Sequence, residues 1–303
     1  QRAESKSTTK RSDVIPESTN SETRPEYAGA TQPASLFDAI IENGSPFEKL
    51  LARRLKPFLA NTQLVIVNDI ATDIPDSAIQ QDFYGASGIY DSVSNTVFLN
   101  NTTQDAMESG LNNTVFLHEA VHAATVGIMQ AYVENPDSLS PKAQEAVRQI
   151  YDLMGAAQGV YTKRKEAGLT SRALDALADG EQGLDVFNDL YEFVAYGITK
   201  PEFQEFLTFV EPTFSWKVST VRNGLGKFFD AVRKLFNIPD NQFNGFLSLV
   251  DITDTLLDES KGFQNPNPTV VAQAKKQVRR ASAAAAKLAK SSREEAMVEG
   301  LSE

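Results

Sequence analysis

The stretch TVFLHEAVHAATVG, residues 114–127, constrains the fold of this chain more than any other segment. Apolar and small residues surround its two histidines on most sides, so a helix formed here has little surface suited to water. Other elements must therefore cover it, and the alanines beside the histidines allow a second helix to approach closely. The sequence predicts a buried central helix, which we place at about residues 111–133.

Short strands are predicted before this helix and further helices after it. Residues 63–68 (QLVIVN) form a β-branched run typical of a buried strand, and residues 88–100 (GIYDSVSNTVFLN) indicate two strands joined by a turn. The later helices are predicted at about residues 140–166, 184–198, from 201, 216–235 and 241–257. The expected class is α+β and mostly helical, with a small N-terminal sheet packed on the HExxH helix and a helical part after it.

A helix start is also predicted near the beginning of the folded part of the chain. Ser45, Pro46 and Glu48 have the order of a helix start, with Ser45 as N-cap, Pro46 in the first turn and Glu48 completing a capping box. Regular structure is expected to begin near Leu36. Residues 1–33 are polar and rich in Ser, Thr, Glu, Lys and Pro, which is typical of a flexible tail.

We expect one folded domain at residues 34–262, with the sheet and the HExxH helix extending to about residue 135 and the helical part covering residues 140–262. Residues 263–303 are expected to form a linker and a basic, alanine-rich C-terminal helix or tail.

Composition excludes several kinds of site. Cysteine is absent, so disulfides, thiolate zinc sites and cysteine nucleophiles are excluded, and any metal must be bound by His, Asp or Glu. The net charge of −11 argues against a protein whose whole surface coats nucleic acid. No apolar run reaches the roughly 18 residues that a membrane span needs. The N-terminal residues lack the apolar stretch of a secretory signal, so Sec export is not expected.

The two histidines of the chain, His118 and His122, lie four residues apart in the central helix. They share a helix face and can bind one ion through two imidazoles, and Glu119 can reach a metal-bound water as general base. Zn²⁺ suits two nitrogens and one oxygen, and it lowers the pKa of its bound water to about 7. The predicted chemistry is attack of that water on a polarised peptide carbonyl. The alternative is a helix with two incidental histidines.

A third metal ligand must be a carboxylate from another element, since there is no third histidine. Glu192 is the first candidate, because it lies in an apolar helical setting where an unpaired carboxylate is costly and a metal-bound one is not. Asp189 and Asp185, within the two preceding turns, remain competitors. Alternatively, Glu192 is a solvated helix residue.

A tyrosine is expected to donate a hydrogen bond to the oxyanion of the reaction. Tyr196, one turn beyond Glu192, is the first candidate for this role. Tyr191, Tyr84 and Tyr90 remain alternatives, and the sequence alone does not choose among them.

Taken together, these motifs resemble those of zincin-type metallopeptidases of the gluzincin group, in which a Glu follows HExxH downstream. More narrowly, they resemble the metallopeptidase domains of very large phage and mobile-element polyproteins. GIYDSVSNTVFLN, FLHEAVHAAT and LYEFVAYGITKPEFQEF carry the resemblance, within about residues 85–206.

This resemblance implies specific roles. His118, His122 and Glu192 would be the zinc ligands and Glu119 the catalytic base, while the strand at residues 95–99 would line the substrate cleft as an edge strand. The 70-residue separation of His122 and Glu192 departs from other gluzincins and leaves room for an inserted helix.

A phage origin would also account for the ends of the sequence. Leu301-Ser302-Glu303 resembles the hydrophobic-x-Glu sites after which phage prohead proteases cut, and the sequence starts at Gln1. Processing at both ends would make the protein an internal or ejected virion protein, located in the capsid interior or, after delivery, in the host cytoplasm. Alternatively, the two ends only mark the limits of the segment.

Two other functions share this setting. The chain could be a virion structural or cargo protein that uses a zincin fold as a scaffold with an idle site. It could also be a toxin that acts on host proteins after delivery. The expected partners are a protein or peptide substrate and other virion proteins.

Residues 269–293 contain basic but no acidic residues. The basic residues are Lys275, Lys276, Arg279, Arg280, Lys287, Lys290 and Arg293. The first four could make weak contacts with DNA phosphates, although no aromatic residue is interleaved for base stacking. A solvated helix or tail, or a helix that faces a partner or the capsid, is the alternative.

Overall fold

The computed structural model describes residues 32–101, 111–178, 185–212, 226–236, 238 and 243–261. It begins with α1 (Pro33–Asn43), α2 (Pro46–Leu55) and a 3₁₀ turn (Lys56–Leu59), followed by β1 (Gln63–Val67), α3 (Ile70–Asp73), α4 (Ser77–Phe83), β2 (Gly88–Asp91) and β3 (Thr96–Asn100). The later elements are α5 (Asn113–Glu134), a 3₁₀ turn (Pro136–Ser138), α6 (Pro141–Glu166), α7 (Arg172–Ala178), α8 (Leu190–Thr199), α9 (Pro201–Leu207), α10 (Gly226–Leu235) and α11 (Gly245–Ser260). The predicted α+β, mostly helical class is confirmed.

The three strands form one sheet in the order β1-β3-β2. Strand β3 pairs in parallel with β1 and antiparallel with β2. All of β3 is buried, because both faces of the sheet are covered. One face packs on α5, and the other forms a small cluster with α3 and α4 that contains Val67, Ile74, Phe83 and Phe98. The predicted packing of the sheet on the HExxH helix is confirmed.

The expectation that residues 95–99 form an edge strand is wrong. Residues 96–100 form the central strand β3, and Asn95 lies in the turn before it. The chain passes from β1 through α3, α4 and β2 before it reaches β3, which pairs in parallel with β1. Strand β2 pairs with the other side of β3 and is therefore an edge strand. Among the described residues, no further strand pairs with the outer side of β2.

The turn between β2 and β3 is fixed by Asn95, which has a left-handed φ of 51° that asparagine tolerates. Its side-chain oxygen accepts hydrogen bonds from the hydroxyls of Thr62 and Tyr90, both at 3.1 Å. Its side-chain nitrogen donates to the Asn61 carbonyl at 3.0 Å. The hairpin is thereby joined to the segment that leads into β1.

Helix α5 is the buried central helix that the sequence predicts. The side chain of Asn112 caps its start by accepting a hydrogen bond from the Val115 N–H at 2.9 Å. Most residues from Asn113 to Ala131 are buried, because α2, α8, α11 and the sheet all pack against this helix. The main core extends from Leu36 in α1 to Leu257 in α11.

The predicted capping box at the start of α2 is confirmed. The Ser45 hydroxyl accepts a hydrogen bond from the Glu48 N–H at 3.3 Å, and the Ser45 N–H donates to the Glu48 carboxylate at 2.6 Å. Ser140 also caps α6, through its hydroxyl alone, which accepts from the Ala143 N–H at 3.1 Å. Local capping chemistry therefore sets the starts of these helices.

Other boundaries differ from the predictions. Helix α1 begins at Pro33 rather than near Leu36, and α11 runs from Gly245 to Ser260 rather than 241–257. The polar stretch after β1 contains two short helices, α3 and α4, each capped by an aspartate. Helix α8 begins at Leu190 rather than near residue 184, because two aspartates before it form local turns.

Several predictions fall on residues outside the described ones. These are the tail up to residue 31, residues 216–225 of a predicted helix, and residues 263–303 with Lys275, Lys276, Arg279 and Arg280. Helix α10 covers the rest of the predicted helix. None of the helices in the described ranges is long and apolar enough to span a membrane.

Charged groups of α2 and α11 form a cluster, which we call the α2–α11 ion cluster. It links the N-terminal and C-terminal helices of the core. Arg54 donates from Nε to Asp254 Oδ1 at 2.5 Å and from Nη2 to Asp258 Oδ1 at 2.8 Å. Its Nη2 also donates to the Asp254 carbonyl at 3.0 Å. Burial raises the pKa of Asp254, and the Arg54 charge opposes that rise.

Candidate metal centre

The two histidines of α5 face a carboxylate from α8. The Nε2 atoms of His118 and His122 lie 3.0 Å apart, and each residue is only 8% exposed. Glu192 Oε2 lies 3.1 Å from His118 Nε2, and its Oε1 lies 3.4 Å from His122 Nε2. One ligand atom from each residue lies within 4.8 Å of the others, so the group could hold a metal ion.

The N-terminal cap of helix α8 determines where Glu192 lies in the helix. The Asp189 carboxylate accepts hydrogen bonds from the N–H groups of Tyr191, at 2.8 Å, and Glu192, at 3.2 Å. The helix therefore begins one residue after Asp189, which places Glu192 in its first turn. Buried Phe193, Val194 and Ala195 then anchor α8 in the core.

Of the three carboxylates considered from the sequence, the structure brings Glu192 to the histidines. Asp189 caps α8 instead. Asp185 accepts a hydrogen bond from the Phe187 N–H at 3.1 Å and another from the Asn188 side chain. Both aspartates thus satisfy backbone groups at the start of α8.

The electrostatics of the cluster couple His122 to Glu192. Burial lowers the pKa of His122, but the charge and hydrogen bond of Glu192, with smaller contributions from Glu119 and Asp189, raise the pKa to about 9. Burial likewise raises the pKa of Glu192, yet the two histidines outweigh it and hold this pKa well below its usual range. Without a metal, the pair at neutral pH is therefore a His122 cation and a Glu192 anion.

The side chain of Glu119 lies between its own helix, α5, and the edge strand β2. Its carboxyl group is buried, which raises its pKa, while the charges of His118 and His122 and the Tyr90 backbone N–H partly offset that rise. A buried carboxyl group with a raised pKa, close to both histidines, is suited to accept and return a proton.

The outer side of β2 points toward this carboxylate. The Asn100 N–H donates to the Ser87 carbonyl at 2.9 Å, so these opposite residues form a hydrogen-bonded pair. In an antiparallel ladder such pairs alternate, so Gly88 and Tyr90 direct their backbone N–H and C=O groups away from β3. The hydrogen bond from the Tyr90 N–H to Glu119 agrees with this geometry.

Thr199 orients His118 and was missed by the sequence reasoning. Its hydroxyl donates to the Ala195 carbonyl at 2.6 Å, so its oxygen can accept from His118 Nδ1, which lies 3.4 Å away. A proton on Nδ1 leaves Nε2 with the lone pair that a metal needs. The signal in the sequence was periodicity, because Thr199 lies two helical turns after Glu192 on the same face.

Of the four tyrosines considered, Tyr196 contacts a site histidine. Its ring packs on His118 with the centroids 4.4 Å apart. Tyr84 is 72% exposed, and the Tyr90 hydroxyl bonds to the hairpin turn. Burial, followed by the charge of Asp189, raises the pKa of Tyr191.

Comparison with known proteins adds no relative, because no protein-family model, no curated protein and no solved structure matches this chain.

Proposed function

We propose that this chain is a zinc-dependent metallopeptidase, with His118, His122 and Glu192 as ligands and Glu119 as general base. One observation carries the proposal: two imidazole nitrogens and a carboxylate converge within 4.8 Å, beside a second buried carboxyl group that is not part of the trio. A metal-free structural role does not require that second group.

The donor set fits zinc. Two imidazole nitrogens and one carboxylate oxygen are the protein ligands of many catalytic zinc sites, and three protein ligands leave a position for water or substrate. The chain has no cysteine to complete a closed structural site. Bound zinc would polarise the substrate carbonyl and acidify a water.

The residues around the donors would perform the other steps. Glu119 would take a proton from the attacking water and deliver it to the leaving amine. Tyr196, whose ring packs on His118, would donate a hydrogen bond to the oxyanion. The outward N–H and C=O of Gly88 and the C=O of Tyr90 would pair with an extended substrate along β2, while the Tyr90 N–H donates to Glu119.

The biological setting of the proposal is a phage-encoded protein associated with the virion, which is supported by the motif resemblance. The alternative is a structural or cargo protein with an idle site. One observation favours that alternative: the His122–Glu192 ion pair can balance its own charge without a metal.

Metal content and hydrolysis together test the proposal. We expect purified full-length protein to contain about one zinc per chain by elemental analysis. We also expect it to cleave fluorescein-labelled casein, an unfolded general substrate. If the protein takes up no zinc after reconstitution, the structural or cargo alternative is favoured over the peptidase proposal.

The matched variant for this test is Glu119→Gln. It should keep its zinc and lose about 1,000-fold in hydrolysis, because the base is gone while the ligands remain. Glu134→Gln, an exposed change near the end of the same helix, should behave as wild type. Hydrolysis retained in Glu119→Gln would exclude Glu119 as the base.

A further inference from the structure

Gly88, the first residue of β2, lies directly against the helix that carries Glu119. A Cβ atom added to Gly88 would lie 2.8 Å from Val115 Cγ1, 3.1 Å from Glu119 Cγ and 3.3 Å from Glu119 Oε1. The left-handed glycines of the described residues are Gly85 and Gly168. The structure therefore makes use of the missing side chain of Gly88 and not of its backbone freedom.

The neighbours of Gly88 have little room to move. Val115 is only 9% exposed, and a β-branched side chain on a helix has one strongly preferred rotamer. A contact of 2.8 Å with Val115 Cγ1 therefore cannot be relieved by a simple rotation. The Glu119 side chain has more torsions, but its carboxylate is held by the N–H of Tyr90, two residues further along β2.

We propose that Gly88 is a positioning residue for Glu119. The absence of a side chain at this point of the edge strand leaves the space in which the Glu119 carboxylate lies against β2 and accepts the Tyr90 N–H. The catalytic part of this inference rests on the proposed peptidase function, whereas the placement of Glu119 does not depend on it.

A competing explanation is packing alone. In that case Gly88 only allows β2 to approach Val115, and Glu119 would tolerate a methyl group at position 88. The two explanations differ in what Val115→Ala does. That change removes the 2.8 Å contact but leaves the contacts of 3.1 and 3.3 Å with Glu119.

The test compares Gly88→Ala, Val115→Ala and the double variant in the full-length, zinc-loaded protein. Gly159→Ala is the matched control, because a Cβ added at Gly159 in α6 meets nothing within 4 Å. Four quantities are measured: zinc affinity, thermal stability, hydrolysis of labelled casein, and exchange of the Tyr90 amide by NMR.

We expect Gly88→Ala to bind zinc within about threefold of wild type, because no ligand lies on β2. Its kcat should fall about 100-fold, since displacement of a catalytic group by about 1 Å has an effect of that size. The Tyr90 amide should exchange faster, because its acceptor has moved. The double variant should regain stability but keep the low kcat and the fast exchange.

Three results would overturn the inference. Gly88→Ala could retain both wild-type hydrolysis and a protected Tyr90 amide, or Val115→Ala could restore both in the double variant. Gly159→Ala could also reproduce the defect. If Gly88→Ala alone fails to fold, the double variant decides. If zinc-loaded wild type does not cleave casein, the peptidase proposal fails, and the Tyr90 amide still decides whether Gly88 positions Glu119.

Discussion

Two buried groups of charges lie in the same core, and they reach charge balance in different ways. In the α2–α11 ion cluster, the Arg54 guanidinium donates to two carboxylates and a carbonyl. In the candidate metal centre, two carboxyl groups face histidines, which carry charge only when protonated. In the first cluster Lys261 supplies a second cation by donating to Asp258 Oδ1 at 2.9 Å, whereas in the second a metal dication could replace a proton.

This difference separates a structural charge cluster from one suited to function. Arg54 contacts Asp254 and Asp258 directly through its guanidinium, whose planar fork suits carboxylates. His122 has two accessible states, and its neighbours hold its pKa at about 9. A site that can exchange a proton for a metal ion should respond to zinc and to pH, whereas the α2–α11 ion cluster should not respond to zinc.

The sharpest way to break the comparison is Glu192→Ala. Loss of an outer-shell partner weakens metal binding by up to about 100-fold. Loss of one of the three donors themselves should weaken zinc binding by more than that. The fold should persist, because the anchoring residues of α8 remain. Isothermal titration with zinc measures the change, and Glu205→Ala, an exposed change in α9, is the control. Full zinc occupancy in Glu192→Ala would assign the third ligand to Asp189 or Asp185.

The second prediction concerns the stability of the zinc-free protein against pH. The pKa of His122 rises from 6.5 to about 9 in the fold, so its contribution to stability is fully present below 6.5 and is lost as the pH rises through about 9. Zinc affinity should increase over the same interval, because the metal needs the deprotonated imidazole. Urea unfolding at several pH values measures the trend. Zinc-free stability that is constant from pH 6 to about 9.5 would contradict it.

The third prediction tests the α2–α11 ion cluster. Arg54→Ala leaves the buried Asp254 carboxylate without its cation and should destabilise the fold by roughly 2 kcal/mol, less than a fully buried pair because Arg54 keeps some exposure. Zinc affinity and its pH dependence should not change. Urea denaturation measures the loss, with the exposed neighbour Arg53→Ala as control. Equal stability of the two variants would show that the cluster is dispensable.

The smallest expected effect belongs to Thr199→Val. This variant lacks the Thr199 hydroxyl that orients Nδ1 of His118. Zinc affinity should therefore fall about 10-fold. The control is Thr162→Val, which removes a hydroxyl that makes the same kind of bond, to the Gln158 carbonyl in α6. An equal change in both variants would reduce the role of Thr199 to helix stability.

Local signals in the sequence were sufficient for much of the fold. The Ser45 capping box depends on residues within one turn, and it forms as predicted. The spacing of His118 and His122 sets their shared face by helix geometry alone. The hairpin at residues 88–100 follows from its turn residues in the same way.

Features that depend on distant partners were missed or left open. The position of β3 at the centre of the sheet follows from its pairing with β1, which no local pattern specifies. The choice of Glu192 over Asp189 and Asp185 required the packing of α8 on α5. The late start of α8 has a different cause, because the side chains of Asp185 and Asp189 form local turns that compete with the helix.

The 70-residue separation of His122 and Glu192 has a consequence for folding kinetics. Helix α5 and the β2–β3 hairpin consist of local contacts, which form early and fast. The third donor reaches the histidines only after α8 docks across a long intervening chain, which includes all of α6. During refolding, tight zinc capture should therefore lag behind helix formation and report the closing of this long-range contact.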